Sequence, residues 1–389
     1  MTAGTSRAAI AGLGLTDVGK VYGRSATDFA AEAVRLAAAD AGLAVTEIDG
    51  LLVSPGTQGS PKLSLQKVLG LRDLRLLAGV TALGASPAAM VALAAQAVAS
   101  GEATAVACVF ADAPLKEKGS ARDAFGTQRA LPSGFASYHI GIGAITPNLF
   151  YAMAARRHFE TYGTSSDQLG AIAVGQRAWA AGNPVAQFTA PITLDDHRSS
   201  PLIADPLHLL DCCLVSNGGA AVIVTSAERA RDLAQPPVDV LGWGQAHPGQ
   251  LMHHESQFGL RTGAAVAGPA ALRMAGVTVE DVDLLELYDS YTFTVLVTLE
   301  DYGFCAKGDG GAFVADGKLG PGGSLPCNTG GGQLSSYYLT GFTPIVEAVT
   351  QARGQAGARQ VDKTDVVMVS GSGGVLEHHA TLVLSGAGR

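Results

Sequence analysis

Three short stretches hold most of the residue types that could move protons. NTGGGQLSSYYLTG (328–341) sets three consecutive glycines ahead of Tyr337 and Tyr338. LYDSYT (287–292) places Tyr288 and Tyr291 around Asp289, and SGSGGVLEHHAT (370–381) holds Ser370, His378 and His379. A phenol can act as a general acid or base. It titrates near 10, so it needs a hydrogen-bonded partner or the positive end of a dipole to work near neutrality. Tyr288 reads either as such a phenol or as a packed residue of an apolar strand. Asp289 either orients a phenol or caps the helix expected over SYTFTVLVTLEDYG (290–303). Tyr291 reads as a structural residue of that helix, and Tyr337 as packing. His378 and His379 alternate across a strand, so only one can face a given site.

Other candidates carry less. The five cysteines, Cys108, Cys212, Cys213, Cys305 and Cys327, form no CxxC pair. Neither a disulfide framework nor a zinc site is expected. Cys212 and Cys213 read as small apolar residues leading into a strand. His253-His254 and Asp195-Asp196-His197 lack metal-ligand spacing and read as loop residues, so no metal site is expected.

The composition narrows the class. Apolar residues make up 47% of the 389-residue chain and charged residues 15%, which excludes disorder and implies extensive buried surface. The net charge of -8 comes without a Lys/Arg block, which argues against a nucleic-acid partner. The N-terminus lacks a signal-peptide apolar region. The uncharged run 80–99 contains Thr81, Ser86, Pro87 and Gln96 and reads as a buried helix rather than a membrane span. A soluble, cytoplasmic protein with no membrane partner is expected.

The elements that must position the candidates repeat along the chain. A strand over 8–14, a helix over 25–42 and a strand over 48–56 match a strand over 238–246, a helix over 261–276 and a strand over 282–290. Gly42 pairs with Gly276, Val45 with Val279, Asp49 with Asp283 and Leu51 with Leu285, at a constant offset of 234 residues. A looser match links 84–112 with 339–374; in each a glycine-containing turn leads into a helix and an apolar strand. The pattern predicts an α/β protein of duplicated β-α-β halves related by a pseudo-two-fold. The halves are placed at 1–235 and 236–389. An irregular insertion at about 113–210, with helical pieces such as 149–163, is expected to cover the active face.

DCCLVSNGGAAVIVTSAERA (211–230), ELYDSYTFTVLVTLEDYGFCAKGDGGAFV (286–314) and PCNTGGGQLS (326–335) resemble the thiolase superfamily, in its branch of sterol-carrier and lipid-transfer-like thiolases. The resemblance covers nearly the whole chain and implies the thiolase fold, two halves in a layered αβαβα arrangement. It also places the catalytic positions. The nucleophilic cysteine would fall on Gly84, counting back from Ser100-Gly101-Glu102. The histidine ten residues after Asn328 would fall on Tyr338, and the second cysteine on Ser370. All three have lost their usual chemistry, so acyl transfer through a cysteine is not expected. The loop of Asn328, Gly331 and Gly332, with Gly84 at a helix start, would still hold a thioester oxygen as an oxyanion. Ser370 is grouped with them, and His379 matches the superfamily's His-Ala-Thr.

That combination resembles the cysteine-lacking steroid side-chain aldolases of the same superfamily. The resemblance implies retro-aldol cleavage of a β-hydroxyacyl-CoA, of the 17-hydroxy steroid side-chain type, to a ketone and a short acyl-CoA such as propionyl-CoA. Tyr338 and Tyr288 would be the acid/base residues, with His379 and Asp289 as polar partners. No cofactor beyond the substrate's coenzyme A is implied. A small OB-fold partner protein with a zinc ribbon, a homodimeric core and hence a heterotetramer follow from the same resemblance. Two other readings remain at this stage. One is a non-catalytic acyl-CoA or lipid-binding subunit. The other is a thiolase with Ser86 or Ser370 as nucleophile, which would lack a histidine base at position 338.

Overall fold

Local capping chemistry sets the ends of the repeated elements. In the computed structural model, residues 8–57, 59–119, 124, 137, 141, 146–248 and 257–386 are described. Ser25 and Asp28 exchange hydrogen bonds across the first turn of helix α1 (Ala26–Ala41), and Gly42 ends it at φ 74°. Further along, the helix Ala264–Ala275 ends on Gly276 at φ 71°. A short 3₁₀ turn follows each, at Val45–Glu47 and Val279–Asp281, and then a buried strand. The repeat seen in the sequence is therefore a repeat of caps, turns and strand starts.

The strands are β1 (Ala8–Leu15), β2 (Gly50–Ser54), β3 (Leu76–Gly79), β4 (Ala105–Asp112), β5 (Leu202–Ala204), β6 (Leu207–His208), β7 (Gly218–Ser226), β8 (Val238–Ala246), β9 (Leu284–Glu286), β10 (Val367–Gly373) and β11 (His378–Ser385). Nine of them run in the order β3-β2-β4-β7-β1-β8-β11-β10-β9. From β2 to β1 and from β9 to β8 the pattern is the same: one parallel pair, then two antiparallel pairs. The halves meet in the short pairing of Ala9 with Asp239 and Ile10 with Val238.

Two equivalent helices, α2 (Ser86–Ala99) and the helix Phe342–Ala352, share one buried cluster with the inner faces of both half-sheets. Helix α1 covers the outer face of the first half, and the helices Ala264–Ala275 and Thr292–Tyr302 that of the second. Strand alternation is what lets each half-sheet bury both faces. The result is the expected αβαβα layering.

Two expectations change. The strand expected over 282–290 stops at Glu286. There the Leu287 N–H donates to Asn328 Oδ1 at 2.6 Å, and the Tyr288 N–H to Ser370 Oγ at 2.9 Å. Side-chain acceptors replace the ladder and turn the chain out of the sheet at Tyr288. The segment 113–210, expected to be irregular, is largely helical where described. It forms α3 (Pro147–Tyr162), α4 (Ser166–Ala180) and α5 (Leu194–Ser199), and then the β5–β6 hairpin. Capping pairs at Ser165/Gln168 and Thr193/Asp196 start two of these helices. The later helices are α6 (Ala264–Ala275), α7 (Thr292–Tyr302) and α8 (Phe342–Ala352). No described helix is long and apolar enough to cross a membrane.

Arg353 fastens the two halves. Its guanidinium donates to Asp40 Oδ2 at 2.8 Å, Ala11 O at 3.0 Å and Pro236 O at 3.1 Å. Asp40 also accepts the Leu13 N–H at 2.8 Å. Breaking a buried pair from one side strands the other partner. Arg353→Ala is therefore expected to lower unfolding free energy by about 3 kcal/mol, read as a shift of the urea midpoint at constant slope.

Candidate active site

The turn that ends β9 carries Tyr288 toward a second phenol. The hydroxyls of Tyr288 and Tyr338 lie 3.2 Å apart, although the residues are 50 positions apart in sequence. The Tyr288 ring is 5% exposed, while Tyr338 is partly exposed. The Tyr338 backbone is braced by its N–H, which donates to Ser216 Oγ at 3.0 Å. Burial pushes both phenols above their ordinary range. The hydrogen bond between them acts in opposite directions: it raises Tyr288 further and lowers Tyr338. Either hydroxyl can be the donor of the pair, and a donor on one phenol favours the anion of the other.

Gly84 explains how Tyr288 fits. A Cβ on residue 84 would overlap the Tyr288 ring and the Ser372 carbonyl. The place where a side chain at 84 would stand is thus taken by Tyr288. Gly84 lies in the 3₁₀ turn Leu83–Ala85, immediately before α2, at the positive end of that helix. The structure therefore brings together Gly84, Tyr288, Tyr338 and Ser370. Ser370 supports the Tyr288 backbone, and Ser86 Oγ accepts the Ala82 N–H at 2.7 Å. Both serine hydroxyls thus accept a backbone N–H.

The triple glycine is used for packing. A Cβ on Gly330 would meet Glu347 and Asn183, one on Gly331 would meet Ala180, and one on Gly332 would overlap the Asp289 carboxylate. Gly331 and Gly332 are buried, with protein filling the side where a Cβ would stand. Asn328 holds the turn at φ 52° and uses its Oδ1 on Leu287, so its oxygen positions the chain rather than a ligand. Asp289 departs from both expectations. Its carboxylate accepts the N–H groups of Gln333 and Leu334, at 2.9 Å and 3.3 Å for Oδ2, and ties the glycine loop to the Tyr288 turn. Burial lifts it to about 7, against those hydrogen bonds. Tyr291, not Asp289, stands at the N-cap position of α7, with no side-chain cap bond. Tyr337 packs in the central core, as expected.

His379 is the other correction. It faces the outer layer, where Nε2 meets Tyr302 Oη at 2.8 Å, and Tyr302 in turn meets Thr381 Oγ1 at 2.7 Å. Burial drops its pKa to about 3, so it is a neutral, satisfied histidine and not a partner of the phenol pair at neutral pH. His197, read from sequence as a loop residue, lies on α5 and bonds Asp211 at 2.9 Å. His253 and His254 lie outside the described residues. Among the described residues no cluster of three or more metal-ligating side chains occurs.

Several neighbours of the pair were not legible as such. Tyr151 on α3 stacks on Tyr291 with centroids 4.4 Å apart, and Tyr291 Oη donates to Asn148 Oδ1 at 2.6 Å. Cys213 is close enough to raise Tyr288, Tyr291 and Tyr338, and burial holds its own thiol well above the ordinary range. No local pattern marks these residues, because each reaches the site through a different layer.

The family model for the thiolase C-terminal domain matches residues 244–386. Over 378 residues the chain is 39% identical to the steroid side-chain-cleaving aldolase of Thermomonospora curvata, covering 94% of this chain and 95% of that one. It is 37% identical over 381 residues to the 17-hydroxy-3-oxo-4-pregnene-20-carboxyl-CoA lyase of Mycobacterium tuberculosis, covering 95% and 97%. The solved Ltp2-ChsH2(DUF35) aldolase superposes with TM-score 0.89 at 37% identity over 99% of each chain. An acetyl-CoA acetyltransferase from Syntrophomonas wolfei superposes with TM-score 0.68 at 17% identity over 97% and 99%, which bears on the fold alone. Fold and family model define a thiolase-fold protein. Within that class the chain belongs to the side-chain-cleaving aldolases, and it is a lyase.

The close fit of residue 84 against Tyr288 has a measurable consequence. Gly84→Ala is expected to destabilise the fold by about 1–3 kcal/mol through overpacking. In a Tyr288→Gly background the same change should cost about 1 kcal/mol less. Part of the clash, with the Ser372 carbonyl, persists there. A chemical-denaturation double-mutant cycle reads that coupling.

Proposed function

We propose that this lyase cleaves a β-hydroxyacyl-CoA by retro-aldol chemistry, with Tyr338 as the base and Tyr288 as its hydrogen-bond donor. The observation that carries the proposal is the 3.2 Å contact between the two hydroxyls beside Gly84. Tyr338, as the anion, takes the proton of the β-hydroxyl. The Cα–Cβ bond breaks, the β-carbon leaves as a ketone, and the electron pair moves into a thioester enolate. The proton then returns to Cα, giving the short acyl-CoA. The Gly84 N–H and the α2 dipole are proposed to favour the enolate oxygen. The step as written needs proton transfer only, with coenzyme A as part of the substrate. No covalent enzyme intermediate is formed, which agrees with Gly84 and Ser370 standing where the resemblance places thiols.

The substrate class comes from the relatives. One is named for cleaving steroid side chains and another for a 17-hydroxy pregnene carboxyl-CoA. A steroid side-chain thioester of the 17-hydroxy type, yielding a 17-ketone and propionyl-CoA, is the substrate proposed for this chain. Incubation with such a thioester should produce both products. Tyr338→Phe and Tyr288→Phe are each expected to lower kcat by about 10²–10⁴. Full activity in Tyr338→Phe would sink the role of that phenol. Because burial raises both phenols, the anion is the minor form at neutral pH. The rate should therefore climb with pH from about pH 6 to about pH 9.

The solved relative's name couples an aldolase chain to ChsH2(DUF35). A small OB-fold, zinc-ribbon protein is proposed as this chain's partner. A homodimer is proposed for the core, because β3 stands at the edge of the sheet order and shows exposed Leu77, with exposed Leu63 beside it. Light scattering should give twice the chain mass alone and a heterotetramer with the partner. A monomer in both states would refute the assembly.

A further inference from the structure

Tyr288 and Tyr338 lie on separate loops, and one strap of chain touches both. Residues 211–217 run from the end of the hairpin region into β7, between the turn 288–292 and the loop 333–338. Asp211 anchors its start. The fully buried carboxylate meets His197 Nε2 at 2.9 Å and accepts from Thr292 Oγ1 at 2.6 Å and His208 N at 2.8 Å. Cys212 bridges Tyr291, and the Cys213 N–H donates to Ser290 O at 2.9 Å. The strap then crosses over: the Leu214 N–H donates to Gln333 O at 2.9 Å. Ser216 Oγ accepts the Tyr338 N–H at 3.0 Å and Gln187 Nε2 at 2.8 Å. Asn217 ends it with N–H and carbonyl paired to Gly19 at 2.9 Å each.

We infer that this strap sets the spacing of the two phenols, and that Ser216 is the positioning residue for Tyr338. The inference rests on the proposed acid/base pair and adds the part that holds it in register. A phenol pair works only while its hydroxyls stay within hydrogen-bond reach, and small misplacements in such sites are costly. Asp289 already ties the Tyr288 turn to the start of the loop at Gln333 and Leu334, and the strap adds a hydrogen bond at the Tyr338 backbone itself. Ser216 is 1% exposed and its hydroxyl is the acceptor for the Tyr338 backbone, so it acts through Tyr338 rather than on substrate.

Ser216→Ala removes that acceptor at nearly unchanged volume. Its kcat is expected to fall about 10- to 100-fold with KM within about twofold, and Ser216→Thr, which keeps the hydroxyl, should recover most of the rate. Added to Tyr338→Phe, Ser216→Ala should cost less than about twofold more, because both changes act at one residue. Hydrogen exchange gives a readout that does not need turnover: the Tyr338 amide should lose at least about tenfold protection in Ser216→Ala, while the β7 amides keep theirs. Unchanged protection of that amide overturns the inference. So does an undiminished kcat, or a full additional loss in the Tyr338→Phe background. If the wild-type protein cleaves no β-hydroxyacyl-CoA, the proposed reaction fails, and the exchange measurement alone decides the positioning role.

Discussion

The ring of Tyr288 occupies the space that a side chain at residue 84 would need, and the rest of the site follows from that exclusion. With glycine at 84, helix α2 begins with bare backbone, and a phenol from the other half of the molecule can lie across it. With any larger residue there, the ring and the helix start could not both keep their places. One steric fact thus joins the two halves at their chemistry, much as Arg353 joins them at their packing.

Holding a phenol in that place takes an unusual ending to a strand. β9 is short because Leu287 and Tyr288 give their N–H groups to Asn328 and Ser370 instead of a neighbouring strand. Buried N–H groups must find acceptors, and here side chains supply them at the point where the chain must leave the sheet. Asp289 extends the same logic by taking N–H groups from the glycine loop. Its carboxylate stays near neutrality in pKa because burial opposes those bonds. The loop glycines are small because Ala180, Glu347 and Asp289 press against them. The missing side chains let protein pack close to this stretch.

Much of the fold was legible before any coordinates. The offset of 234 between Gly42 and Gly276 marks real helix ends, and the matching turns and strand starts fall where the repeat places them. Caps, glycines at positive φ and apolar strands are local signals, so one sequence carries them openly. Tyr288 and Tyr338 were also named from sequence, through their place in a resemblance rather than through spacing. The contacts of Asp289 and His379 were not legible. Asp289 next to Tyr288 looks like a partner, but successive residues point in different directions, and its carboxylate reaches the glycine loop. His379 lies one strand position from any residue facing the inner layer, and that single step puts it on the far side of the sheet.

The sequence by itself determined an α/β class and its internal duplication, and through its resemblance the absence of cysteines and histidine from the usual positions and Tyr338 at the histidine's place. The duplication is a matter of cap chemistry and period and the rest of residue identity in a resemblance, and neither needs a neighbour in space. Only the tertiary structure decided which groups meet. The Tyr288–Tyr338 contact, the exclusion at Gly84, the strap through Ser216 and the burial of His379 all join segments far apart in the chain. Directions across sheets and distances between layers fix them, and neither is written in any local stretch.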